Sequence, residues 1–186
     1  MNYIIFDLEA TCWDRTESWV ERDQNETIEI GAVKLDADYK EVGQFQLFVR
    51  PFKHGTLSEF CKTLTTIQQS DVDGAPFFVE AFPKFIEWAG SDALFCSWGF
   101  YDIEQLKRDC AFNKMELPKM LHCSLKHNHQ AMLKLPKGLG VGRALKNAKM
   151  VFEGVKHRGI DDSKNIVKLF RKYAPEIHQN NKEHGV

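Results

Sequence analysis

The feature that most narrows what this chain can fold into is the order of its hydrophobic periodicities. Strand-like segments come first, and helical ones then alternate with strands. Residues 3–8 form an apolar, β-branched run fit for a buried strand, and residues 28–35 (Ile-Glu-Ile-Gly-Ala-Val-Lys-Leu) alternate with period two, as a strand with one buried face does. Residues 44–50 read as a third strand stopped by Pro51. These three runs are expected to form an antiparallel meander. The connection over residues 10–27 is long and polar, a length that in compact domains often accompanies function.

Helical spacing takes over downstream. A short helix fits Thr63 to Gln69. Residues 78–90, opened by Pro76 and closed by Gly90, repeat Phe78, Phe82, Phe85, Ile86 and Ala89 on one face. Residues 93–97 read as a buried parallel strand, and 101–112 as a helix with Ile103, Leu106 and Cys110 on one side. Further helices fit 123–133, 139–148 and 162–173. The expected class is α/β, a mixed sheet flanked by helices. With 186 residues the chain has room for one such domain, expected over 1–175, with a polar, frayed tail over 176–186.

Composition excludes several classes. No apolar run is long enough to span a bilayer, so no membrane partner is expected. Tyr3-Ile4-Ile5-Phe6 runs straight into Asp7 without a basic leader or a small-residue cleavage site, and a soluble cytoplasmic protein is the expectation. The cysteines Cys12, Cys61, Cys96, Cys110 and Cys123 are odd in number and contain no CxxC pair, which predicts reduced thiols rather than a zinc site or disulfide framework. Net charge is −1, but unevenly spread: −10 over residues 1–102 and +9 over 103–186. That asymmetry allows an acidic metal pocket beside a basic surface for a nucleic-acid strand.

The acids supply the chemistry. Asp7 and Glu9 end the first strand, and strand side chains at i and i+2 share a face roughly 6–7 Å apart. Two like charges so placed call for a counter-charge, and hard divalent cations favour carboxylate oxygen. Asp102 follows the fourth strand, where ligands gather in open α/β sheets; a helix N-cap is its alternative reading. In His157-Arg158-Gly159-Ile160-Asp161-Asp162, Gly159 lets a loop feed a helix, so that His157 and Asp162 converge on one pocket.

Five stretches carry a resemblance: Ile5 to Cys12 (IFDLEATC), Ile28 to Val33 (IEIGAV), Leu64-Thr65-Thr66-Ile67, Trp98 to Asp102 (WGFYD) and His157 to Asp162 (HRGIDD). In this order they resemble the DEDDh 3′→5′ exonucleases of the RNase T/DnaQ-like superfamily. The branch is the one holding the histone-mRNA 3′-end exonuclease, the enhancer-of-RNAi nucleases and bacterial KapD-like proteins. The resemblance covers about residues 2–173. It implies an RNase H-like mixed sheet and two metal ions, Mg²⁺ or Mn²⁺, that assist water in releasing 5′-mononucleotides from single-stranded 3′ ends, RNA before DNA. Carried over position by position, Asp7, Glu9, Asp102 and Asp162 are the implied metal ligands and His157 the general base. Asp161 is left as a helix cap. Thr11, Leu64, Thr65 and Ile67 are the implied cradle for the terminal nucleotide.

Other contacts are expected from residue type alone. Trp98 and Tyr101 could stack on a base. Arg158, with Lys134, Lys137, Arg143 and Lys146, could meet phosphates. Rival readings are a catalytically silent RNA-binding or scaffolding module that keeps the fold, and a metal-dependent small-nucleotide phosphatase.

Overall fold

A computed structural model describes residues 1–14, 16 and 24–183, with side chains up to Ala174. Five strands form one sheet in the order β3-β2-β1-β4-β5. β1 (Asn2–Ala10), β2 (Thr27–Leu35) and β3 (Glu41–Phe48) make the antiparallel meander. β4 (Ala93–Ser97) runs parallel to β1, and β5 (Leu121–Ser124) parallel to β4. The helices are α1 (Glu59–Thr65), α2 (Gln69–Asp73), α3 (Phe78–Ala89), α4 (Tyr101–Phe112), α5 (Leu125–Met132), α6 (Val141–Asn147) and α7 (Gly159–Glu183).

Side-chain alternation along β1 divides the core. Ile4, Phe6 and Leu8 point to one face, where they meet Phe82 and Phe85 of α3 and Ile103 and Leu106 of α4. Tyr3 and Ile5 point to the other, against Ile166, Val167 and Phe170 of α7. Burying each such side chain contributes about 1.5–3 kcal/mol. Asp7 and Glu9 continue the series of Tyr3 and Ile5, so strand geometry alone sends both carboxylates to the α7 side.

Several expectations need correction. β2 is buried on both faces, with Ile30 and Ala32 in one core and Val33 and Leu35 in the other, because helices cover both sides of the sheet. The single helix expected over 63–69 is two, α1 and α2, separated at Thr66, whose φ of +62° is left-handed. The stretch 123–133 opens as strand β5 before it becomes α5. The last helix continues past residue 173 through Pro175 to Glu183, where a frayed tail was expected. Much of the polar connection 10–27 lies outside the described residues. Among the described residues, no helix is long and apolar enough to cross a membrane.

Candidate active site

β4 stops at Ser97, while its neighbour β1 continues to Ala10. Beyond that stop, the Leu8 amide has no strand beside it on the β4 side. Asp102, at the start of α4 and 4% exposed, fills the gap: its Oδ1 accepts the Leu8 amide at 3.1 Å. The end of a strand thus positions the third acid beside the first two. The helix-cap alternative gives way to this bond with the sheet, 94 residues away in sequence.

The fourth acid arrives through a close approach of two backbones. Asp7 pairs with Gly31 across the β1–β2 ladder. A Cβ at Gly31 would lie 2.0 Å from the Ile160 nitrogen and 2.1 Å from the Gly159 carbonyl carbon. A Cβ at Gly159 would lie 2.9 Å from the Asp7 carbonyl oxygen. Only two glycines let the first turn of α7 rest on the sheet beside Asp7. Glu29, fully buried on β2, then anchors that turn: its Oε2 accepts the Gly159 amide at 3.0 Å and Arg158 Nε at 3.1 Å, and its Oε1 accepts Gln46 Nε2 at 2.7 Å. A carboxylate at a helix N-terminus satisfies an otherwise orphaned amide and complements the helix dipole.

Asp162, one turn into α7, therefore faces β1. Oxygens of Asp7, Glu9 and Asp162 all lie within 4.8 Å of one another, a cluster fit to hold a metal ion. Asp162 Oδ2 also accepts the His157 amide at 2.8 Å, while His157 itself is left-handed at φ +60°. That bond folds the 157–162 turn and leaves the imidazole exposed in the same cleft. Asp161 Oδ2 accepts the Val155 amide at 2.8 Å, so it pins the preceding loop rather than joining the acid cluster.

The acids repel one another. Burial raises Asp7 well above the carboxylate range, and the charges of Asp102, Glu9 and Asp162 raise it further. Burial and the Asp162 charge push Glu9 up to about 9. Asp102 rises to about 6 through burial, restrained by the Leu8 amide. Asp162 is raised by burial and restrained by the His157 amide. Carboxylates held together against such a cost are what a divalent cation compensates.

The cleft around them encloses about 450 Å³ and is lined by all five predicted catalytic positions, Asp7, Glu9, Asp102, His157 and Asp162, and by Trp98 and Tyr101. Trp98 is also held as a wall, its Nε1 donating to the Leu139 carbonyl at 2.8 Å. Val141, Gly142, Phe152 and Lys156 line the cleft as well. Sequence reasoning did not single these out. The one local signal was for Lys156, which directly precedes the histidine of the HRGIDD stretch.

The other side chains expected to meet substrate do not line this cleft. Thr11 is buried, its amide given to the Glu26 carbonyl and its Oγ1 accepting the Glu26 amide. Thr65 is fully buried and donates to the Cys61 carbonyl. Ile67 is fully buried in a small core with Ile28, Leu57 and Cys61, and its amide is bonded to Thr65 Oγ1. Of this group Leu64 alone is exposed, and it does not line the cleft. Arg158 is paired with Glu29, its guanidinium 5.2 Å over the Phe48 ring, and it does not line the cleft.

An RNase H-like sheet with a cluster of carboxylates at its centre defines the metal-dependent nuclease class of α/β folds. The exonuclease family model matches residues 4–170, and the chain belongs to that family. It is 30% identical over 196 residues to the rat protein named 3′-5′ exoribonuclease 1, covering 97% of this chain and 56% of that one. With ERI1 exoribonuclease 2 of Xenopus laevis it shares 31% identity, covering 89% of this chain and 27% of the other. The chain thus spans about half the length, or less, of these curated relatives. Among solved structures, the nuclease domain of 3′hExo, described as a DEDDh family member bound to rAMP, superposes with a TM-score of 0.86 at 27% identity, over 94% of this chain and 92% of that one. A structure described as 3′-end specific recognition of histone mRNA stem-loop by 3′-exonuclease superposes at 0.84 with 26% identity, over 92% and 63%.

Proposed function

We propose that this protein is a divalent-metal-dependent 3′→5′ exonuclease that removes 5′-mononucleotides from single-stranded RNA ends. The observation that carries the reading is the convergence of Asp7, Glu9 and Asp162 within 4.8 Å, with Asp102 bonded to the strand beside them. Family membership and relatives named as exoribonucleases support both the direction and the substrate.

Asp7, Glu9 and Asp162 would hold the cation, with Asp102 beside them and room for a second ion. Mg²⁺ and Mn²⁺ suit an all-oxygen donor set. Such ions supply positive charge where the attacked phosphate and the leaving oxygen become more negative. The protein's own groups do the rest. β1 and the first turn of α7 fix the acids on rigid elements. The neutral imidazole of His157 accepts a proton from the attacking water. A new P–O bond forms to that water, the bond from phosphorus to the 3′ oxygen breaks, and that oxygen takes up a proton to become the new 3′-OH. Tyr101 and Trp98 form a wall on which the terminal base can rest, and Lys156 offers the cleft a cation for phosphate.

The test is a time course on 5′-labelled single-stranded RNA and matched DNA with Mg²⁺, Mn²⁺ or EDTA. A ladder shortening one nucleotide at a time, stopped by EDTA and faster on RNA, is expected. Internal cuts, or hydrolysis of p-nitrophenyl phosphate without any of oligonucleotides, would overturn the reading.

A further inference from the structure

A line of exposed rings and cations leaves the cleft and runs across the surface. Tyr101, half exposed, lines the cleft. The Arg108 guanidinium lies 5.6 Å from the Tyr101 ring centre, and Arg108 shares a hollow with Lys53 and Phe112. The Phe112 ring is 6.4 Å from Phe52, and Phe52 is 6.1 Å from Phe77. Arg50 ends the line, 5.3 Å over the Phe77 ring. Phe52 is 73% exposed and Phe112 48%, an arrangement that costs hydration free energy unless something covers it.

The platform is built rather than incidental. Glu26, itself buried, accepts the amides of Phe52, Lys53 and His54 at 2.6 to 3.0 Å and so fixes the turn that presents the Phe52 ring outward. Asp109, also buried, is satisfied by Thr27 and Gln105 and adds no free charge to the surface. Beneath Phe52 and Phe77 lies a groove of about 260 Å³. From Asp102 to Phe112, α4 spans about 15 Å, so the rings lie beyond the reach of a terminal nucleotide.

We infer that this surface is a stacking track for the part of a nucleic-acid strand 5′-ward of the hydrolysed end. Rings offer sequence-tolerant platforms for unpaired bases, and interleaved cations follow the backbone, the combination that holds single strands. Continuity with the cleft and the sign of the three cations favour a strand over a second copy of this chain. The inference rests on the nuclease reading, but binding tests it apart from hydrolysis.

The experiment is fluorescence anisotropy of the full chain in EDTA, with labelled oligouridylates of about 3 and about 12 nucleotides. The double variant Phe52→Leu/Phe112→Leu keeps apolarity and removes the rings. It is expected to bind the longer strand about tenfold more weakly and the shorter one unchanged. Phe52→Trp, which keeps a ring, should bind the longer strand at least as tightly as the parent, whether or not the double variant folds. Equal affinity of parent and double variant for the longer strand would overturn the track, as would a tenfold loss in Phe52→Trp. So would a concentration-dependent dimer in sedimentation that the double variant abolishes without changing RNA affinity. Ring-dependent binding without hydrolysis would support the track and sink the nuclease reading instead.

Discussion

Gly31→Ala tests how the site is assembled without touching any ionisable group. The added methyl would sit 2.0 Å from the Ile160 nitrogen and 2.1 Å from the Gly159 carbonyl carbon, both backbone atoms of the first turn of α7. Real Cβ contacts under 3.0 Å essentially do not occur, so that turn must retreat by about 1 Å. Two bonds stretch with it: Ser163 Oγ to the Gly31 carbonyl at 2.9 Å and the Gly159 amide to Glu29 at 3.0 Å. Overpacking of about 1–3 kcal/mol, plus about 1 kcal/mol for weakened hydrogen bonds, gives a loss of roughly 2–4 kcal/mol. For a domain of this size that lowers Tm by about 5–15 °C. The retreat carries Asp162 away from Asp7 and Glu9, and a misplacement of about 1 Å in a catalytic constellation can cost about 10²-fold in rate. Gly43→Ala is the control, since its Cβ meets only the Trp88 ring at an ordinary 3.6 Å. The assays are urea denaturation and the rate of RNA shortening. Parental stability and rate in Gly31→Ala would refute the account of how α7 delivers Asp162.

The acids make further predictions. Asp7→Asn should abolish hydrolysis yet raise the Tm of the metal-free protein at pH 8, because it relieves a buried carboxylate cluster; calorimetry in EDTA checks this. Glu9, whose ordinary value is 4.5, is pushed up to about 9, and Asp7 is raised too. The stability tied to their protonated forms is full below about pH 4.5 and is lost as pH rises towards 9. In EDTA the parent should therefore lose stability as pH rises from about 4.5 to about 9, and Asp7→Asn should lose less of it. Mg²⁺ at about 100 times its Kd should restore about 5–10 °C at pH 8 and nothing in Asp7→Asn. His157→Asn, which tolerates the left-handed backbone, should slow hydrolysis about 10²–10⁴-fold with an unchanged Tm. Arg158→Ala should cost about 2 kcal/mol in urea denaturation by stranding part of the Glu29 charge, and leave the salt dependence of RNA binding unchanged.

Where local pattern and tertiary environment agreed, the sequence was easy to read. β4 and α4 occupy residues 93–97 and 101–112 as the periodicity predicts, since an unbroken apolar run and a helical stripe admit few alternatives. β5 was hidden because Leu121-His122-Cys123-Ser124 is only four residues long and passes into α5 with no turn residue between them. The five positions implied by the resemblance do meet in one cleft. How they meet was not legible. Gly31 and Gly159 are 128 residues apart, and nothing local says that their backbones touch. Glu29 sits in a strand pattern where a charge looks solvated, yet it is fully buried as the anchor of α7. That pairing also ties Arg158 to the foot of α7. Nor did the sequence say that the side chains of Thr11, Thr65 and Ile67 are buried, which leaves Leu64 as the exposed side chain of the four positions expected to cradle the terminal nucleotide.

Anomalous diffraction from a crystal soaked in Mn²⁺ interrogates the metal centre itself. A peak bounded by the carboxylates of Asp7, Glu9 and Asp162, and lost in Asp7→Asn, is the expected result. Manganese bound only at other acids, or no peak between these three, would contradict the claim that they form a cation site.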